Sequence, residues 1–160
     1  CDYYLSPRPD LDQTNTRKAI ESFTIFMQRY PTSTRTDDCR AKVLELQEKL
    51  VEKSYLSARL YYDLKQYRAA TISLAKSLKE YPDTKYREEL MYLKLDALFL
   101  YAERSVPSKK VERYQAALDE YYSFIEEFPT SRYAKDVKRI FDTTARFLKV
   151  DTTIQQTQAN

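Results

Sequence analysis

The side chains able to do chemistry in this sequence are carboxylates, phenols, two thiols and a dispersed set of cations. Its 160 residues hold 24 acids, 27 lysines and arginines, 15 tyrosines and two cysteines, but no histidine and no glycine. Without histidine there is no Ser-His or Cys-His pair and no common His-based zinc site. Without glycine there is no P-loop and no dinucleotide-binding turn, since both need backbone N–H groups bared around a phosphate. Catalysis by carboxylates alone would need two acids held at one bond. The acids here are spread over helical faces without such a pair. No catalytic residue is assigned, and no metal, nucleotide or cofactor is expected.

The tyrosines invite a binding role. Tyr61, Tyr62, Tyr86, Tyr92, Tyr101, Tyr121 and Tyr122 could together line a concave groove. Taken singly, each is expected to bridge helices with its ring buried and its hydroxyl at the surface. Cys39 is expected to pack as a small apolar residue. The basic cluster Lys109, Lys110 and Arg113 could meet an acidic partner, but a solvated helix start is the expectation. The net charge of +3 is too weak and too evenly spread to imply nucleic acid. No apolar run approaches the roughly 18–20 residues that span a bilayer.

The elements that position these groups are punctuated three times in the same way. "RYPTSTRTDD" at 29–38, "EYPDTKYREE" at 80–89 and "EFPTSRYAKD" at 127–136 each follow an apolar helical run. Proline disfavours helical geometry at the residue before it, so helices should stop at Tyr30, Tyr81 and Phe128. Ser33, Thr84 and Ser131 can then accept a backbone N–H as the next helix begins. Asp37 and Asp38, then Glu88 and Glu89, follow where the helix dipole favours negative charge. Counting back from each proline, Ala19, Ala70 and Ala117 lie twelve positions earlier. Phe23, Leu74 and Tyr121 lie eight earlier, and Met27, Leu78 and Ile125 four earlier, which sets one helical stripe per copy.

The absence of glycine also argues against hairpins and sheets. These patterns predict an all-α, tetratricopeptide-like solenoid of about six helices in stacked antiparallel pairs. The copies are 51 and 47 residues apart, longer than the about 34 of an ordinary repeat, and the extra length is placed in each first helix. A long helix is expected from Thr34 to about Leu64, a turn at 65–67, and a second helix from about Tyr67 to Glu80. The next pair is expected over about 84–105 and 110–127, joined by a loop carrying "SVPSKK" at 105–110. A last helix over about 132–149 caps the stack. One repeat domain is read over 1–150, with a polar tail over 151–160 expected to fray.

"RKAIESFTIFMQRYPTS", "EKSYLSARLYYDLKQYRAATISLAKSLKEYPDT" and "EELMYLKLDALFLYA" resemble the BamD family of outer-membrane lipoproteins. The most specific piece is the middle one, with Ala58, Tyr61 and Tyr62 closing a long helix ahead of a short one ending in Tyr-Pro-Asp-Thr. "ERYQAALDEYYSFIEEFPTSRYAKD" looks like a following repeat of longer members, so the likeness covers about 11–148. It departs from the superfamily in one place: Lys65-Gln66 stands where a small residue, often Gly, makes the turn. The resemblance implies a non-enzymatic scaffold of the β-barrel assembly machine, lipid-anchored at the periplasmic face of the outer membrane of a Gram-negative bacterium. Its implied partners are the barrel-forming subunit, with other assembly lipoproteins as further candidates and no nucleic acid. The membrane is met only through a lipid anchor expected upstream of these residues. Arg59, Tyr61, Tyr62, Arg68 and Tyr86 are placed on the partner surface. Cys1 falls where the family is in mid-domain, so it is expected to be an internal residue rather than the lipidated one. Tyr-Pro-Asp-Ser-like repeats also occur in other periplasmic adaptors, such as Tol-associated coordinators and nutrient-uptake scaffolds, which form the second reading.

Overall fold

The three aromatic-proline stretches end three helices with one geometry. Tyr30, Tyr81 and Phe128 follow the last helical residue at φ/ψ of −132/63°, −131/73° and −127/68°. Each donates its N–H four residues back, to the carbonyls of Phe26, Ser77 and Phe124 at 2.9, 2.9 and 2.8 Å. The proline ring bars the α region one residue earlier, so the same stop is written three times.

In the computed structural model, which describes residues 2–148, the elements are α1 (Thr14–Arg29), α2 (Thr36–Asp63), α3 (Tyr67–Glu80), α4 (Arg87–Glu103), α5 (Pro107–Glu127) and α6 (Ala134–Leu148). The readings of Cys1 and of the tail 151–160 lie outside the described residues. Among the described residues there is no strand, and none of these helices is long and apolar enough to cross a membrane. Ser33, Thr84 and Ser131 do accept an N–H, from Arg35, Tyr86 and Tyr133 at 3.3, 3.3 and 3.0 Å. They do so in a tight turn that precedes each helix, whose regular bonding starts three residues on. The loop expected at 105–110 is shorter: α5 begins at Pro107, because proline is well suited to the first helical position. Elongation of the first helix holds for α2, at 28 residues against 14 for α3. In the next pair the longer helix is the second, 21 residues against 17.

The chain divides into two compact units between Ser57 and Ala58. In the first, α1 buries Ala19 and the early part of α2 buries Cys39, Val43 and Leu46. The non-helical residues before α1 run along α2 in register with its turns. The Tyr3 hydroxyl donates to Glu45 at 2.8 Å, Lys49 donates to the Ser6 hydroxyl at 3.3 Å, and Lys53 donates to the Asp10 carbonyl at 2.8 Å.

The second unit packs α4 against α3, α5 and α6, the relation expected of successive pairs stacked together. That central position explains a helix buried nearly all round, from Leu90 through Leu95 and Phe99 to Ala102. Ala70 and Ala117 are fully buried, as close helix contacts require. The stripe itself drifts. Leu78 and Ile125 are half-buried, while Ser77 and Phe124, one residue earlier, lie inside. Steps of four overshoot a 3.6-residue turn by about 40° each, so the third contact falls back to a step of three.

Candidate functional site

The end of α2 is shaped by a residue in an unusual conformation. Lys65 takes φ 58°, the left-handed region. Its N–H donates to the Tyr62 carbonyl at 2.8 Å, and the Gln66 N–H donates to the Tyr61 carbonyl at 2.9 Å. This pair of bonds is a Schellman cap, a role that glycine usually takes. The chain fills the role without glycine, so the turn between α2 and α3 is tight and carries a cation at its tip.

The cap decides where the residues around it point. Arg59 reaches Glu89 in the first turn of α4 at 3.2 Å and Asp63 one turn on at 3.6 Å. Tyr62 is half-buried, its ring 6.0 Å edge-on from Tyr67 and its hydroxyl donating to Asp96 of α4. Tyr61 is exposed beside exposed Leu60 and Leu64, and Arg68 is exposed in the first turn of α3. Tyr86 is half-buried in the linker ahead of α4, with the Lys85 ammonium 5.2 Å over its ring. Beside it an open cleft of about 720 Å3 lies between that linker and the end of α5, with Arg87 and Glu127 paired in its wall. The structure thus brings Arg59 and Tyr62 onto the start and middle of α4. Tyr61 and Arg68 belong to the turn surface instead, and Tyr86 to the far linker.

Six further residues belong to this face, Glu88, Glu89, Tyr92, Asp96, Arg132 and Tyr133, and of these the sequence pointed only to Tyr92, as a groove tyrosine. Glu89 pairs with Arg132 at 3.6 Å, and Glu88 accepts the Ser131 hydroxyl at 2.6 Å and the Arg132 N–H at 3.3 Å. Arg132 lies 4.8 Å over the Tyr133 ring, which stacks on Tyr92 at 4.1 Å and 3°. Asp96 is the sixth, and it is buried. The signal for it was present: it is the lone acid between Leu90 and Ala102, where Lys94 is the one other charged residue. Which partner it would find lies 34 residues away in sequence and could not be read there.

Burial raises the Asp96 carboxyl above the usual carboxylate range, and the hydroxyl of Tyr62 and the charge of Arg139 pull it part of the way back. The Tyr62 phenol is pushed well up by burial and by its bond to Asp96, and burial beside Asp96 pushes Tyr92 up to about 12. Such phenols stay protonated at neutral pH. They offer rings and hydrogen-bond donors, not phenolate nucleophiles. Among the described residues no group of three His, Cys, Asp or Glu is placed to hold a metal. What the face offers is ion pairing, aromatic surface and exposed aliphatic side chains, which is equipment for binding.

Residues 3–98 match the family described as YfiO, outer membrane lipoprotein. The same chain is 27% identical over 96 residues to a protein of Vibrio cholerae serotype O1 named outer membrane protein assembly factor BamD. That match spans 60% of this chain and 40% of the relative's length. The family match ends within α4, so α5 and α6 rest on the internal repeat.

Proposed function

Because this chain belongs to the YfiO family of outer membrane lipoproteins, we propose that it is a non-enzymatic scaffold in β-barrel assembly. Its binding energy, not its chemistry, would then do the work. In this reading it sits at the periplasmic face of the outer membrane through a lipid anchor and holds the barrel-forming subunit, with other assembly lipoproteins as further partners. The family match carries this reading, since the relative's name is that of an assembly factor. The docking surface is the α2–α3 turn and the α2 face beside it, where Leu60 and Tyr61 are 54% and 40% exposed next to Arg59 and Arg68. Aromatic and arginine anchors beside exposed aliphatic side chains are the composition that carries binding energy at protein interfaces. Tyr62 supports this surface from beneath through Asp96, and Tyr86 borders the opposite end of α4.

The test is a pull-down of the full-length lipoprotein from solubilised outer membranes, read by mass spectrometry. Enrichment of the barrel-forming subunit is expected, reduced at least about tenfold when Arg59→Glu and Arg68→Glu are combined, since reversing interfacial charges costs several kcal/mol. Enrichment of Tol or nutrient-uptake proteins in its place would instead establish the second class of periplasmic adaptor. Undiminished capture by the double variant would leave the family assignment and remove this surface.

A further inference from the structure

The α2–α3 and α4–α5 turns lie together at one end of the second unit. The Arg104 guanidinium, at the close of α4, sits 4.7 Å over the ring of Tyr67, the first residue of α3. Around this contact the two turns present Leu64, Lys65, Arg104, Val106, Lys109 and Lys110. Leu64 and Val106 are 56% and 61% exposed, and so is Val111 one turn further along α5, at 62%. Lys65, Arg104 and Lys109 are exposed and Lys110 partly so. Three acids border the edge, each engaged within the chain: Asp63 pairs with Arg59 at 3.6 Å, Glu112 pairs with Lys109 at 3.1 Å, and Glu103 accepts the Tyr114 hydroxyl at 2.7 Å.

Exposed aliphatic tips set singly between cations differ from the apolar groove that receives a helix or a strand. Each can sink a short way into a fluid layer while the cations beside it meet phosphates. We propose that this two-turn edge rests on an anionic phospholipid leaflet, with Leu64, Val106 and Val111 entering the headgroup layer. Lys65, Arg104, Lys109 and Lys110 pair there with lipid phosphates. The family's description as outer membrane lipoproteins supplies the neighbouring bilayer, and the positive edge supplies the complementarity. The inference goes beyond protein docking: it shares the α2–α3 turn with that surface, but rests there on Leu64 and Lys65 and otherwise on the α4–α5 turn, not on Arg59, Tyr61 or Arg68.

The experiment is co-sedimentation of this 160-residue chain, bearing no acyl group, with vesicles of phosphatidylethanolamine plus phosphatidylglycerol, or of phosphatidylcholine alone. Binding to the anionic vesicles only is expected, and it should fade in about 1 M salt, where screening shortens to roughly 3 Å. Each cation near such a surface is worth about fivefold in partitioning, so Lys109→Glu with Lys110→Glu should lower it more than about twentyfold. The Arg replacements at the same positions should retain it. Val106→Ser with Val111→Ser should weaken it with charge unchanged. Helix content and melting temperature of each variant are read alongside, because both pairs lie on the surface. Equal binding to both vesicle types, or indifference to the Lys109 and Lys110 reversals, would overturn the proposal. So would capture of soluble polyglutamate at this edge without capture of vesicles, which would make it a protein-docking surface. The assay contains no protein partner, so its failure leaves the docking reading intact, and failed docking leaves vesicle binding untouched.

Discussion

Two residues carry most of the local tension near the site. Lys65 holds a left-handed conformation that costs an L-residue roughly 1–2 kcal/mol. Glycine would remove that cost but bring extra freedom to the unfolded chain. Lys65→Gly is therefore expected to stabilise the fold by about 0.5–1 kcal/mol in urea titrations, and a destabilised variant would mean that the side chain itself holds the turn. Asp96 is the other. Tyr62 of α2, Tyr92 of α4 itself, and Asp136 and Arg139 of α6 are the titratable and charged groups acting on it. Its carboxyl is raised in the folded state, so the folded protein takes up a proton more readily than the unfolded chain does. The cost of burying the charge is therefore fully present at neutral pH. It is relieved as pH falls through the raised folded value toward the ordinary value near about 4. Asp96→Asn removes that titration, so its stability relative to the parent should decline from about pH 7 to about pH 4. Denaturation midpoints across that range check it; a constant difference would place the carboxylate in an environment as favourable as water.

At the scale of elements, the small residues set how closely helices approach. Ala70 and Ala117 have no exposed surface, and each lies on the inner face of its helix, α3 and α5. Ala70→Leu should overpack that contact and cost about 1–3 kcal/mol; a thermally silent variant would show that the site has room. The linkers follow the same economy. The Glu88 carboxylate of α4 takes two donors from the linker ahead of α6, so one helix start caps the next repeat as well as its own dipole. That double use explains why the third copy tolerates Lys135 at the position where the earlier copies carry Asp37 or Glu88.

At the scale of the molecule, the second unit is closed by α6. Its inner face buries Val137, Ile140, Phe141, Thr144 and Ala145 against α4 and α5, while Lys135, Asp136, Lys138, Arg139 and Arg146 are exposed. A helix that is polar on its outer side is what ends a stack of repeats. A chain stopped before Ala134 would bare the core around Tyr121 and Phe124, which Val137 and Phe141 of α6 adjoin. We expect that truncation to lose cooperative unfolding in the second unit and to bind a hydrophobic dye. Retained cooperativity at an unchanged midpoint would mean that α6 is dispensable. The docking face and the two-turn edge both belong to this unit, so their substitutions are to be compared in a chain whose α6 is intact.

The sequence by itself determined the helical class, the three helix stops and the two fully buried alanines of the second unit. Each of these is a local matter: a proline forbids one conformation, and a period of about 3.6 marks one face. It also determined the family, through the run that closes α2 and α3. Tertiary structure decided what local rules leave free. It set the Tyr62 hydroxyl on the buried Asp96 and turned Tyr61 outward one residue earlier. It made α4 the central helix, and it set the aliphatic tips of two distant turns among the same cations. Those outcomes depend on which helix packs on which. A residue's neighbours at 30 or 40 positions' remove are fixed by packing, and spacing along the chain does not encode them.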